Sequence, residues 1–300
     1  MTSAEISTPV DFAAQFQAYR ARAEEGLDRL VPPASTRPDR LHEAMRYALL
    51  GGGKRLRPIL VLAAADLFGA KQDALPAAVA VECVHTYSLV HDDLPCMDND
   101  DLRRGRPTLH RQFDEATALL AGDALLTFGF QLIGRHYLPI PGHALTRELS
   151  EAAGSERLIG GQVEDLLAEK KSDTTPADLD FIHLHKTAAM ISAALVAGGL
   201  CGEATQEQVE TLRLAGRHLG LAFQIVDDIL DATADTATLG KTAGKDAKAD
   251  KTTYVKLHGL DASRTFSLQH TKAAQTAIRS LPGDSSFLCA LVDSMAARIN

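Results

Sequence analysis

The sequence lacks any cysteine pair at CxxC spacing. Cys83, Cys96, Cys201 and Cys289 stand far apart, which excludes the disulfide framework of a small secreted domain and leaves reduced thiols in the cytoplasm as the expectation. A basic excess is also missing. With 31 Lys and Arg against 39 Asp and Glu, the net charge of −8 excludes a nucleic-acid partner, because binding a phosphate backbone needs a basic face. A phosphorylated small molecule needs only a local basic cluster and is not excluded. The opening residues MTSAEISTPVDFAAQ carry Glu5 and Asp11, no basic start and no apolar stretch, so no export signal is expected. The longest nearly uncharged run, Met190 to Gly202, falls short of the roughly 20 apolar residues that cross a bilayer, so no membrane span is expected. Alternating β-branched runs and Asn-Gly or Asp-Gly hairpins are absent, and no Ser/Gly-rich or like-charge linker divides the chain.

What remains is a sequence that is 45% hydrophobic and 23% charged, with Ala- and Leu-rich segments at helical spacing throughout. The pattern predicts one all-α domain over residues 1–300. Helices are expected near 9–30, 38–50, 55–68, 73–93, 114–137, 143–170, 177–200, 205–232, 250–258, 261–280 and 284–298. The stretches Ala74 to His91 and Ala188 to Leu200 are apolar around most of their circumference, which places them inside a bundle.

Two acidic clusters close such helices. Asp92, Asp93 and Asp98 lie in DDLPCMD, and Asp227, Asp228 and Asp231 lie in DDILD. Clustered carboxylates repel one another and lose hydration when enclosed, so they require positive charge between them. Hard cations such as Mg²⁺ supply it and take phosphate oxygens as further ligands. Asp227 and Asp231 are four apart and Asp228 and Asp231 three apart, so one helical face is expected to present carboxylates suited to a shared metal, and Pro95 breaks the first helix so that Asp98 folds back toward Asp92. An EF-hand is excluded for MDNDDLRRG because Leu102 stands where an oxygen ligand is needed and no glycine follows it.

Basic residues are placed to complement these clusters. GGGKRLRP ends one helix and opens another, bringing Lys54 and Arg57 within reach of one anion, and Arg103 and Arg104 follow the first cluster directly. Lys241, Lys245 and Lys251 lie in ADTATLGKTAGKDAKADK, whose composition suits a surface loop or a lid over a diphosphate. His85 lies two turns before Asp92, where a packed core histidine and a cavity-lining one are both compatible with the pattern.

The motifs GGKRLRP, HDDLPCMDNDDLRRGRPT, GGQVEDL, HKT, FQIVDDILD and TLGKTAGKDAKADKTTY, in this order, resemble those of the short-chain trans-prenyl diphosphate synthases, most closely the bacterial farnesyl diphosphate synthases. The resemblance runs from about residue 40 to 258. It implies a helical bundle around a deep central cavity, a cytoplasmic homodimer, and condensation of isopentenyl diphosphate with dimethylallyl or geranyl diphosphate. By motif position, three Mg²⁺ ions are expected on Asp92, Asp98 and Asp227, with Asp93, Asp228 and Asp231 nearby. Arg103, Lys186, Lys241 and Lys251 are expected at the allylic diphosphate, and Lys54, Arg57, His85 and Arg104 at isopentenyl diphosphate. Thr187 and Gln224 are expected to face the developing allylic cation. Tyr87 and Ser88, just before Asp92, are expected to set chain length, the aromatic implying a fifteen-carbon product. Arg157 departs from the pattern, since many relatives carry a small residue there. Rival readings are a geranylgeranyl diphosphate synthase, a terpene cyclase, which has only one diphosphate to hold, and a silent regulatory subunit, which would have lost acidic residues.

Overall fold

In this computed structural model, residues 11–171, 173–233 and 252–297 are described. The chain runs through α1 (Phe12–Leu30), α2 (Asp39–Leu50), α3 (Leu56–Leu67) and α4 (Leu75–Asp92), then a hairpin of β1 (Leu102–Arg103) and β2 (Arg106–Pro107). It continues through α5 (Leu109–Gln112), α6 (Glu115–His136), α7 (Pro139–Ala153), α8 (Leu158–Ala168), α9 (Pro176–Ile182), a π-turn (His183–Ala188) and α10 (Ala189–Cys201). Last come α11 (Gln206–Thr233), α12 (Tyr254–His258), α13 (Leu260–Arg279) and α14 (Ser286–Ala296). The architecture is all-α.

Local chemistry sets many of the helix starts. Asp11 caps α1 by accepting from the Ala14 N–H at 3.1 Å, and Asp114 caps α6 by accepting from the Thr117 N–H at 2.7 Å. Thr175 and Asp178 form a reciprocal capping box at the start of α9, with Pro176 in its first turn. Each such cap contributes about 0.5–2 kcal/mol. The all-apolar segments lie inside, as expected. In α10 every residue but Leu200 is buried, and α3 and α11 pack along it, while α6 packs along α4. Gly198 makes the α10–α3 contact possible: a Cβ there would lie 2.2 Å from the Val61 carbonyl oxygen, so the two helices meet backbone to backbone.

Two stretches, Glu115–His136 and Pro176–Cys201, are long and apolar enough to cross a membrane by length and composition. The second has 78% of its apolar window buried by the rest of the chain, which is the signature of a central core helix. Three expectations need correction. The helix expected over 143–170 is two helices, because the chain leaves helical geometry between Gly154 and Arg157, the latter at φ −129° and ψ −107°. The helix expected over 177–200 contains the π-turn. The third concerns residues 102–107, which form a hairpin whose turn residues Arg104 and Gly105 have φ of 55° and 75°. Two consecutive positive φ values are what a two-residue turn between twisted strands requires.

Candidate active site

α4 ends at Asp92, and the chain then reverses: the Asp98 N–H donates to the Asp92 carbonyl at 2.8 Å, and the Asn99 N–H donates to the Leu94 carbonyl at 3.1 Å. The turn keeps Asp98 beside Asp92. The Asp92 carboxyl is buried and pushed up to about 6, chiefly by burial, with Asp98 and Asp165 adding to the rise and Lys186 and Arg103 opposing it. A carboxylate held this far above its ordinary range is short of positive charge. A divalent cation fits here, since the donors are hard oxygens and the deficit is electrostatic. Among the described residues no three acidic, histidine or cysteine side chains form a closed metal cage. Mg²⁺ needs none, being held by one or two carboxylates with water and substrate phosphates completing its shell.

Asp93 turns elsewhere. Its two oxygens receive Arg103 Nε, both at 2.8 Å, and Arg103 Nη2 reaches Oδ1 at 2.6 Å, so the hairpin is clamped to the end of α4. The carboxylate of Asp93 and the guanidinium of Arg103, assigned by sequence to metal and diphosphate, are thus engaged with each other in this arrangement.

The π-turn carries Lys186 and Thr187 between the two acidic clusters. It packs on α8 on one side and α11 on the other. A Cβ at Gly161 of α8 would lie 2.4 Å from the Lys186 backbone nitrogen, and one at Gly220 of α11 would lie 2.3 Å from the Ala188 Cβ. With both glycines the turn is gripped at backbone distance. Lys186 Nζ then meets Asp165 Oδ2 at 2.6 Å. Gln224, one turn beyond Gly220, is half-buried, as is Thr187. Wide turns of this type interrupt helices mostly at functional sites.

On α11, Asp227 and Asp231 are half-buried and share a face, while Asp228 is buried and points away from it. Asp228 Oδ2 accepts the Tyr254 N–H at 2.8 Å and lies 3.5 Å from His183 Nε2.

A basic pocket faces the start of α3. Arg57 Nη1 lies 3.0 Å from His85 Nε2, and Arg104 Nη1 donates to the Gly52 carbonyl. Gly53, at φ 131°, leaves the space that Arg104 occupies: a Cβ there would lie 2.5 Å from Arg104 Nη1. Burial lowers Arg57 to about 10, with Arg104 lowering it further against the pull of Glu82. Burial also drives His85 well below its ordinary value, and Arg57 and Arg104 add to the effect. Arg104 lies near enough to Arg57 to lower it in spite of Glu82, an arrangement that suits a multiply charged anion. Lys54 is exposed at the rim. Arg55 is absent from the pocket: its buried guanidinium pairs with Glu24 at 2.8 Å and Glu82 at 2.9 Å.

Tyr87 is buried, its ring edge-on to His91 at 5.7 Å, and its hydroxyl has no hydrogen-bond partner among the described residues. Burial, and then Asp92, pushes that hydroxyl up to about 12. Ser88 donates to the His85 carbonyl at 2.9 Å. Lys241, Lys245 and Lys251 lie outside the described residues. Sequence reasoning assigned no role to Asp165, His183 or Tyr254, although Asp165 belongs to the quoted GGQVEDL motif and Tyr254 closes the TTY motif.

Residues 38–280 match the polyprenyl synthetase family model. A chloroplastic geranylgeranyl pyrophosphate synthase of Catharanthus roseus is 47% identical, over 95% of this chain and 82% of its own length. A farnesyl diphosphate synthase of Bacillus subtilis is 45% identical, over 87% of this chain and 90% of its own. Among solved structures, a geranyltransferase of Helicobacter pylori complexed with magnesium and isoprenyl diphosphate superposes with a TM-score of 0.83 at 33% identity, covering 97% of this chain and 98% of that one. This chain belongs to the polyprenyl synthetase family.

Proposed function

We propose that this polyprenyl synthetase joins isopentenyl diphosphate head to tail to dimethylallyl or geranyl diphosphate, releases pyrophosphate, and stops at the fifteen-carbon farnesyl diphosphate. The observation that carries the reading is the buried, charge-starved carboxylate of Asp92 between Asp98 and Lys186. Mg²⁺ ions on Asp92, Asp98 and Asp227 would neutralise the charge that grows on the leaving diphosphate. Lys186 and Arg103, paired with Asp165 and Asp93 in this arrangement, would add positive charge at the same oxygens once the diphosphate is bound. Breaking the allylic C–O bond leaves a delocalised cation, which Thr187 and Gln224 face from the π-turn and α11. Arg57, Arg104 and Lys54 hold isopentenyl diphosphate without metal, with His85 neutral among them. Its double bond forms the new C–C bond with the cation, and the departing pyrophosphate takes the proton lost afterwards. Water must be excluded throughout, since it would quench the cation.

The two relatives divide on product, one named for twenty carbons and one for fifteen. The aromatic at Tyr87, buried against His91 near the end of α4, supports the shorter chain as a floor that a longer product would have to pass. A cytoplasmic homodimer fits the same reading: α6 exposes Leu119 and Leu120, at 47% and 57%, on a face suited to a second copy. The test of activity is incubation with isopentenyl diphosphate, each allylic primer and Mg²⁺. Prenyl products should form, vanish with excess chelator and return with added Mg²⁺. Full activity in chelator would reject the mechanism.

A further inference from the structure

The π-turn that carries Lys186 and Thr187 begins at His183, directly after α9. Two of its flanks are gripped at Gly161 of α8 and Gly220 of α11. A third flank meets Tyr254, the first residue of α12, where Thr253 caps the helix by accepting the Lys256 N–H at 3.2 Å. The rings of His183 and Tyr254 stack, 5.5 Å between centroids and 12° from parallel. His183 is buried and its Nε2 has no hydrogen-bond partner among the described residues, so the ring's face carries much of its orientation. Tyr254 is fixed at both of its own ends. Its N–H donates to Asp228 Oδ2 at 2.8 Å, its hydroxyl donates to Asp180 of α9, and Phe266 packs edge-on to the ring at 6.3 Å. With Leu179, Ile225 and Ile229 it forms a small apolar cluster apart from the main core.

We infer that Tyr254 is a positioning residue for prenyl transfer: its ring, stacked on His183, sets the place of the π-turn and through it of Lys186 and Thr187. This deepens the proposed function and rests on that reading for the work of Lys186 and Thr187. All three residues belong to one six-residue turn, with no loop between them to absorb a displacement of His183. A shift of about 1 Å in a group that orients substrate is enough to slow a reaction markedly. Because the cluster around Tyr254 stands apart from the main core, this corner can loosen while the bundle stays folded. The isopentenyl diphosphate clamp stands on α3, α4 and the hairpin, and is expected to keep its shape.

The experiment compares Tyr254→Leu and Tyr254→Phe in the full chain. Leucine keeps apolar volume but offers no flat face to His183, whereas phenylalanine keeps the face and drops only the hydroxyl. Without metal or substrate, amide hydrogen exchange across residues 183–188 should rise about tenfold or more in Tyr254→Leu and stay within about threefold of the parent in Tyr254→Phe. In steady-state kinetics Tyr254→Leu should lower kcat about tenfold or more and raise KM for the allylic substrate, with KM for isopentenyl diphosphate within about twofold of the parent. His183→Ala and His183→Phe put the same question from the other ring, and decide it if Tyr254→Leu does not fold. Parent-like exchange across 183–188 without the stack, a loss in the phenylalanine variants as large as in Leu or Ala, or equal rises in both KM values overturns the inference. A parent protein without prenyl-transfer activity would refute the proposed function instead, with the exchange measurement still deciding whether Tyr254 holds the turn.

Discussion

Arg55 and Arg57 sit two positions apart in GGKRLRP and do opposite work, because one points into the packing and the other into the cavity. Arg55 meets Glu24, Glu82 and the Leu49 carbonyl, the last at 2.7 Å, and pins the α2–α3 junction to α1 and α4. Replacing it with Gln leaves Glu82 buried and unpaired, and should lower unfolding free energy by about 3–5 kcal/mol in denaturant titration. Arg57→Gln should do little of this. It should instead raise KM for isopentenyl diphosphate about tenfold or more, with a much smaller change for the allylic substrate, in steady-state kinetics. Equal effects on both KM values would contradict the assignment. The motif made a basic clamp legible but could not tell the two arginines apart, since their partners lie 27 to 31 residues away in sequence. The Lys186–Asp165 and Asp228–Tyr254 contacts escaped for the same reason.

At the scale of elements, helix ends were readable to within a few residues: the start at Asp114 was expected there, and the one at Asp11 was expected at residue 9. α7 was expected from 143, because Pro139, Pro141 and Gly142 read as a break where Pro139 in fact opens the helix. The break between α7 and α8 was missed although Gly154-Ser155-Glu156-Arg157 interrupts the apolar pattern, because the apolar spacing resumes at Leu158 and one helix was read through the interruption. The hairpin was hidden by its size, two residues a strand, and by an Arg-Gly turn where Asn-Gly or Asp-Gly is the usual signal. The π-turn has no sequence marker of its own. It is held by what is missing from its neighbours, chiefly the Cβ of Gly161. Gly161→Ala should therefore displace the Lys186 backbone, cutting turnover about tenfold or more while far-ultraviolet circular dichroism stays helical. Parent-like turnover in this variant would show that the turn tolerates displacement.

For the molecule as a whole, burial lowers the basicity of three histidines, His85, His218 and His270. His218 and His270 join α11 to α13 through Nδ1 atoms 2.9 Å apart, a contact that two protonated rings cannot make. Each of the three binds protons more weakly folded than unfolded. Stability from them is complete above about pH 6.5, the unfolded value, and is lost as pH falls below it. Asp92, raised to about 6, acts in the opposite sense, gaining stability as pH falls through that value. Three groups against one predict a lower Tm at pH 5.5 than at pH 7.5 by scanning calorimetry, with part of the drop removed in His218→Gln. A higher Tm at the acid end would contradict this balance.

Product length tests the central claim most directly, because it joins the reaction to one buried side chain. The parent protein, given isopentenyl and geranyl diphosphates with Mg²⁺, should release chains of fifteen carbons. Tyr87→Phe keeps the ring and removes a hydroxyl that has no partner among the described residues, so it should make the same product at equal or greater stability. Tyr87→Ala should yield chains of twenty carbons or more by chromatography and mass spectrometry. Chains of twenty carbons from the parent, or an active Tyr87→Ala variant that still stops at fifteen, would contradict the account.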